Sequence, residues 1–220
     1  MKNDFNLLSE SLRRNNLISS YFTGLKISGE NFWDFSMEFN WKDVGRLRIC
    51  TFSISDFWAL KDFWNESLNY ESKNLFPLFP SNNKLDRIIA NHFKNHLYKR
   101  DIIFNTWILK ENYLNEDLEN EIIGHFFINR VDTMPEPGLV VADKIQGKKL
   151  GTFFLVMSIY LTKILGKKEI FIRTDIKNTR SFELYKSLGF KHIRDIPIEI
   201  PSVGYKSIVR ELNMGLDSFL

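Results

Sequence analysis

The residues best placed to do chemistry lie in "DKIQGKKLGTFFL", Asp143 to Leu155, where two glycines and two lysines stand at the start of an apolar helix. The first N–H groups of a helix have no partner within it, and the helix dipole puts partial positive charge at that end. Gly147 permits a positive-φ turn, Gly151 leaves room for close approach in the first helical turn, and Lys148 and Lys149 add full charges. A turn of this kind can cradle a pyrophosphate. It can equally be an ordinary strand-to-helix connection on a solvated lysine patch. The spacing is neither G-x-x-x-x-G-K-[ST] nor G-x-G-x-x-G, so a P-loop and the dinucleotide fingerprint are both excluded. His92 and His96 have the i, i+4 spacing that can hold zinc from a helix, yet "HFKNH" lacks a glutamate at the metalloprotease position and no third ligand is evident. Packing of that helix face is the expected role for the pair, and His125 is expected in the core or a cleft.

The elements that must position these residues follow from hydrophobic periodicity. "NDFNLLSESLRRN" reads as a short helix capped by Asn3 or Asp4, and "NFWDFSMEFNW" as a strand or hairpin packed on the rest. From Val44 the pattern sharpens. "GRLRICTFS" alternates as a half-buried strand, and "SDFWALKDFWNESL" is a helix with Ser55 as its N-cap. "YESKNLFPLFP" is a turn or broken helix, and "NKLDRIIANHFKNHLY" is a second helix. The strands "DIIFNTWILKEN", "EIIGHFFINRV" and "PGLVVAD" follow, the first two separated by the acidic turn "NYLNEDLEN". The apolar helix 149–165 comes next, then the strand "EIFIRTD", the helix "NTRSFELYKSLG" and the strands "FKHIRDI" and "GYKSIVREL". The order β-α-α-β-β-β-α-β-α-β-β predicts an α/β fold, a mixed sheet with helices on both faces. Residues 1–43 are expected to be an N-terminal extension packed on a domain of 44–220.

Composition bounds the function. With 44% hydrophobic residues and twenty Phe, the chain has enough apolar side chains for a sizeable core, which excludes a disordered protein. A formal charge of +3 fits a site for an anionic cofactor but is too mild for a nucleic-acid surface. Cys50 alone cannot close an intramolecular disulfide, which points to a reducing compartment, and it reads as buried on the first strand of the domain. "MKNDFNLLSESLRR" lacks the apolar block of a secretory signal. The stretch Gly151 to Leu165 carries Lys163 and is too short to span a bilayer. The expectation is a soluble, cytoplasmic protein with neither a membrane nor a nucleic acid as partner.

"QGKKLGT", preceded by "LVVAD" and followed by "NTRSFELYKSLGF", resembles the GNAT superfamily of acetyl-CoA-dependent N-acetyltransferases. The family's Gln/Arg-x-x-Gly-x-Gly/Ala motif falls on Gln146, Lys149 and Gly151, and its later pattern on Asn178, Ser181, Tyr185, Gly189 and Phe190. One departure stands out: Lys149 replaces the middle glycine. The resemblance implies a sheet splayed beside "PGLVVAD", with the backbone of Leu139, Val140 and Val141 binding the pantetheine arm. It further implies that Gln146, Gly147, Lys148, Lys149, Gly151 and Thr152 hold the pyrophosphate. Tyr185 would protonate the departing thiolate, or simply pack its helix on the sheet. Asn178 would cap that helix and could also bond the cofactor. Glu136 would act as the base, or be a solvated turn carboxylate between two prolines, with Asp143 and Asp175 as weaker candidates. Acetyl-CoA is then the co-substrate, with no metal. The acceptor is a small-molecule or protein amine, and a homodimer is compatible with the reading. The aromatic segment of residues 1–43 and "YESKNLFPLFP" would contribute to the acceptor pocket. The alternative is an acyl-CoA-binding regulatory module of the same fold without turnover, for which Lys149 speaks.

Overall fold

Alternation in the second strand decides which side of the sheet is buried. Along Asp34–Trp41 the odd positions Phe35, Met37, Phe39 and Trp41 are buried, while the even ones face outward or are half-covered. The computed structural model describes residues 2–75, 85–110, 118–200 and 205–219. Helix α1 (Lys2–Arg14) precedes a meander of β1 (Phe22–Asn31), β2 (Asp34–Trp41) and β3 (Gly45–Thr51). Three helices follow, α2 (Phe57–Glu66), α3 (Tyr70–Leu75) and α4 (Leu85–Leu97), and then β4 (Ile102–Lys110), β5 (Leu118–Asn129) and β6 (Glu136–Val141). Helix α5 (Leu150–Ile164) crosses over to β7 (Glu169–Asp175), followed by α6 (Thr179–Ser187), β8 (Lys191–Ile200) and β9 (Tyr205–Gly215).

Strands β1 to β6 form one antiparallel sheet in chain order, and β7, β9 and β8 form a second. From β3 onward this is the expected order, with α3 added in the segment read as a turn or broken helix. Strands β1 and β2 continue the sheet of β3 through pairs such as Phe39 with Leu47. Helices α1 and α5 cover one face, while α2 and α4 cover the other. Gly124 lets α5 lie close: a Cβ there would come within 2.6 Å of the Phe154 ring. That ring stacks on Phe126 at 4.6 Å, and Phe126 in turn stacks on Phe104 at 4.7 Å.

Two helix starts differ from expectation. Helix α1 begins at Lys2, so Asn3 and Asp4 lie in its first turn rather than capping it, and Asp4 there complements the dipole. At the start of α2 the reciprocal cap is made by Ser53 and Asp56, not by Ser55, because a 3-10 turn over Ile54–Asp56 precedes the helix. Positions 76–80 of "YESKNLFPLFP" and 112–117 of the acidic turn lie outside the described residues.

The two sheets meet at β6 and β7. The Phe171 N–H donates to the Pro135 carbonyl at 2.9 Å, just before β6 begins. Glu136 adds ion pairs to Arg130 and, at 3.6 Å, to Arg173 of β7. Beyond this closed end the strands belong to different sheets, so the sheet parts toward Val141 and Asp175.

Candidate active site

The parted edge of β6 has free backbone groups by simple alternation. The Ala142 N–H donates to Ile123 of β5 at 2.9 Å, and Val140 stands opposite His125 in the same register. In an antiparallel ladder successive residues point to opposite edges. Val140 is therefore committed to β5, whereas the N–H and C=O of Leu139 and Val141 turn toward the gap beside β7. Of the three strand residues expected to bind the pantetheine arm, Leu139 and Val141 turn their backbone groups to this gap and Val140 does not.

The turn after β6 places the helix start at the open end. Gly147 has φ +82 and Lys149, the N-cap of α5, has φ +64 in the left-handed region. Where the motif resemblance expects a middle glycine, the chain has a lysine held in a glycine-like conformation, at a cost of about 1–2 kcal/mol. Helix α5 has no side-chain cap, and its first internal bond runs from the Phe153 N–H to the Lys149 carbonyl at 3.0 Å. The N–H groups of Leu150, Gly151 and Thr152 precede that bond and have no partner in the helix. Gly151 lies over the strand, where a Cβ would meet Leu139 at 3.6 Å, an ordinary contact. Lys148 and Lys149 are exposed and Thr152 is buried.

Side chains fix this turn from three directions. Gln146 donates to Asp143 at 2.7 Å and accepts from Arg180 of α6 at 2.9 Å. The Asp143 carboxylate also accepts from the Asn69 N–H and the Ser72 hydroxyl, each at 2.6 Å, which ties the turn to α3. Trp41 Nε1 donates to the Lys148 carbonyl at 2.9 Å. Arg180 and Trp41 were not singled out from sequence. Arg180 carries one signal, a cation in the first turn of a helix that should prefer acids there. Trp41 carries none, being 107 residues from its partner.

On the opposite flank, Asn178 caps α6 by accepting from the Ser181 N–H at 3.0 Å. Tyr185 is buried on this helix. Burial pushes its hydroxyl up to about 12, partly opposed by a hydrogen bond with Ser181. Asp175 accepts from the Lys177 N–H and the Ser207 hydroxyl. Both oxygens of Glu136 face guanidinium groups, at the closed end of the gap. A cavity of about 450 Å³ lies on the α2–α3 side, lined by Glu66, Ser67, Leu68, Asn69, Glu121, Asp143 and Lys144.

Under α2 and α4 runs a buried polar row. Asn105 donates to Asp56 at 3.0 Å and, through its carbonyl oxygen, accepts from His125 Nδ1 at 2.9 Å, which places the His125 proton on Nδ1. Burial lowers His125 to about 3 and His92 to about 4, so both are neutral at pH 7. The ring centroids of these two histidines are 6.3 Å apart. Cys50 is half-buried rather than fully so, and its thiol is pushed up to about 11 by desolvation and then by Asp56. No group of three or more metal-ligating side chains occurs among the described residues.

No protein-family model matches the chain, and no curated protein does. Solved structures do. The spermidine N-acetyltransferase of Vibrio cholerae, in complex with CoA and spermine, superposes with a TM-score of 0.61 at 15% identity over 79% of this chain and 97% of that one. The protein yncA of Salmonella typhimurium, with its cofactor acetyl-CoA, has a TM-score of 0.56 at 18% identity, covering 78% and 95%. A dodecameric form of the Vibrio cholerae enzyme has a TM-score of 0.55 at 16% identity, covering 79% and 96%. The chain has the GNAT fold. At these identities it is the fold that is shared. No helix among the described residues is long and apolar enough to cross a membrane.

Proposed function

We propose that the protein is an N-acetyltransferase that moves an acetyl group from acetyl-CoA to a primary amine by direct attack. The observation that carries this reading is the uncapped start of α5 beside the parted edge of β6. Helix N–H groups without internal partners and the exposed Lys148, Lys149 and Arg180 stand at the turn that would hold a pyrophosphate. Leu139 and Val141 supply an unpaired ladder for an amide-bearing arm. The N–H of Leu139, farther from the turn and nearer Glu136 than Val141, is the candidate donor to the thioester carbonyl. The fold's solved neighbours hold CoA or acetyl-CoA.

The acceptor must arrive neutral. A lysine-type amine with pKa near 10.4 is neutral about once in 2,500 at pH 7, a deficit of about 4.6 kcal/mol, so a base or a desolvating pocket is needed. We assign the base role to Glu136. Its oxygens are shared with Arg130 and Arg173, so proton acceptance requires one of these contacts to open. Tyr185 keeps its proton at neutral pH and is the assigned donor to the thiolate. The desolvation that raises the tyrosine would raise a thiolate in the same site, which keeps the two within reach. A Vibrio cholerae neighbour is described with spermine.

Thiol release from acetyl-CoA with a panel of amines tests the reading. Release that depends on an amine supports transfer, whereas CoA binding without release would leave only a binding module of the same fold.

A further inference from the structure

A residue with a side chain stays in the left-handed region only where its surroundings hold it there. Lys149, at φ +64, does so without a glycine's freedom. The surroundings include Trp41, at the end of β2. Its indole is 2% exposed and lies edge-on to Phe153 in the first turn of α5, with ring centroids 5.2 Å apart. Tyr21 and Phe22 stack beside it at 5.7 and 6.4 Å. From this fixed position Nε1–H donates to the Lys148 carbonyl at 2.9 Å. That carbonyl belongs to the peptide joining Lys148 to Lys149, and rotation of this peptide plane changes φ of Lys149. Across a trans peptide the N–H points opposite to the C=O, so the Lys149 N–H is turned away from the indole.

We propose that Trp41 is a positioning residue for the cofactor turn, holding the 148–149 peptide so that Lys149 can occupy a glycine's conformation and keep its charge at the helix start. The inference rests on the acetyl-CoA reading above. The same ring braces Phe153, whose N–H makes the first internal bond of α5, so the indole grips both sides of the turn. The lysine substitution and the clamp explain one another. A glycine at this position would need no holding.

The experiment measures CoA affinity by calorimetry for wild type, Trp41→Phe, Lys149→Gly and the double variant, with steady-state kinetics alongside. Trp41→Phe keeps an aromatic ring and removes the N–H. It should raise the Kd for CoA about tenfold, about 1.4 kcal/mol. KM for acetyl-CoA should rise with it while kcat stays within about twofold. On the Lys149→Gly background the same Trp41→Phe change should alter the Kd less than about twofold, a coupling that a merely structural tryptophan would not show. In ¹⁵N-tryptophan-labelled wild type, exchange of the Trp41 indole N–H should slow when CoA binds, a measurement independent of whether Trp41→Phe folds. Unaltered CoA binding by Trp41→Phe, a loss of the same size on the Lys149→Gly background, or indole exchange indifferent to CoA would overturn the inference. No CoA binding by wild type would overturn the acetyl-CoA reading itself, and the inference with it.

Discussion

Two polar regions lie on either side of the central sheet and treat charge in opposite ways. The turn between β6 and α5 keeps Lys148, Lys149 and Arg180 exposed and leaves helix N–H groups without internal acceptors. The row Asp56–Asn105–His125 under α2 and α4 is buried, its members bond to each other, and His125 and the adjacent His92 are held neutral. One region is unsatisfied toward solvent and so can receive an anion. The other is bonded internally from Asp56 through Asn105 to His125 and excludes a net positive charge. The difference teaches that polar residues near a cleft are not all candidates for chemistry. Those with spare donors at an open edge are, and those whose partners lie in the core contribute stability that depends on pH.

Variants at the open region should act on turnover. Tyr185→Phe removes the assigned proton donor and should lower kcat at least about 100-fold, with little change in the Kd for CoA. Wild-type turnover in this variant would strip the open side of its assigned acid. Acid should act on the closed region instead. The folded values of His92 and His125 lie below the unfolded value near 6.5, so the unfolded chain binds protons first and stability falls as pH drops below about 6.5. Between pH 7 and pH 5 each histidine should cost about 2 kcal/mol, the loss for His92 levelling off near pH 4. Urea midpoints at the two pH values measure this, and His92→Gln should flatten the slope. A slope unchanged by His92→Gln would show that the row does not exclude charge as argued.

Smaller effects sharpen the contrast at its boundary. Glu136→Gln should lower kcat/KM about tenfold, less than Tyr185→Phe, because its carboxylate is already engaged by two guanidinium groups. A rate indistinguishable from wild type would make Glu136 a tie between the sheets and nothing more. Lys149→Gly relieves the left-handed strain but frees the unfolded chain, so the net gain in stability should be below about 1 kcal/mol. A loss of several degrees in Tm would mean that the lysine side chain contributes contacts that outweigh its backbone cost.

Much of the turn between β6 and α5 is legible because its determinants are local. Glycine spacing, the apolar run of α5 and an asparagine three residues before Ser181 all act within one or two helical turns. The glycine-requiring position could be read from the motif, and Lys149 does adopt that backbone. The strand-edge groups were legible only in part, since Val140 is turned to β5 by a register that no local signal sets. The aromatic segment near the N-terminus illustrates the same limit. Expected to help shape an acceptor pocket, Phe35, Phe39 and Trp41 instead face the core under α1 and α5, and Trp41 reaches the turn by a single hydrogen bond. Periodicity shows that such residues are buried. It does not show against what.

The sequence by itself determined the element order from Val44 onward except for α3, the helix start rich in glycine and lysine, and the cap at Asn178, because each depends on residues within a few positions of one another. Tertiary structure alone decided where the sheet parts, that Glu136 is shared by Arg130 and Arg173, that His125 is neutral beside Asn105, and that Trp41 holds the Lys148 carbonyl. Each of these depends on register and burial, which arise only when segments distant in the chain pack together.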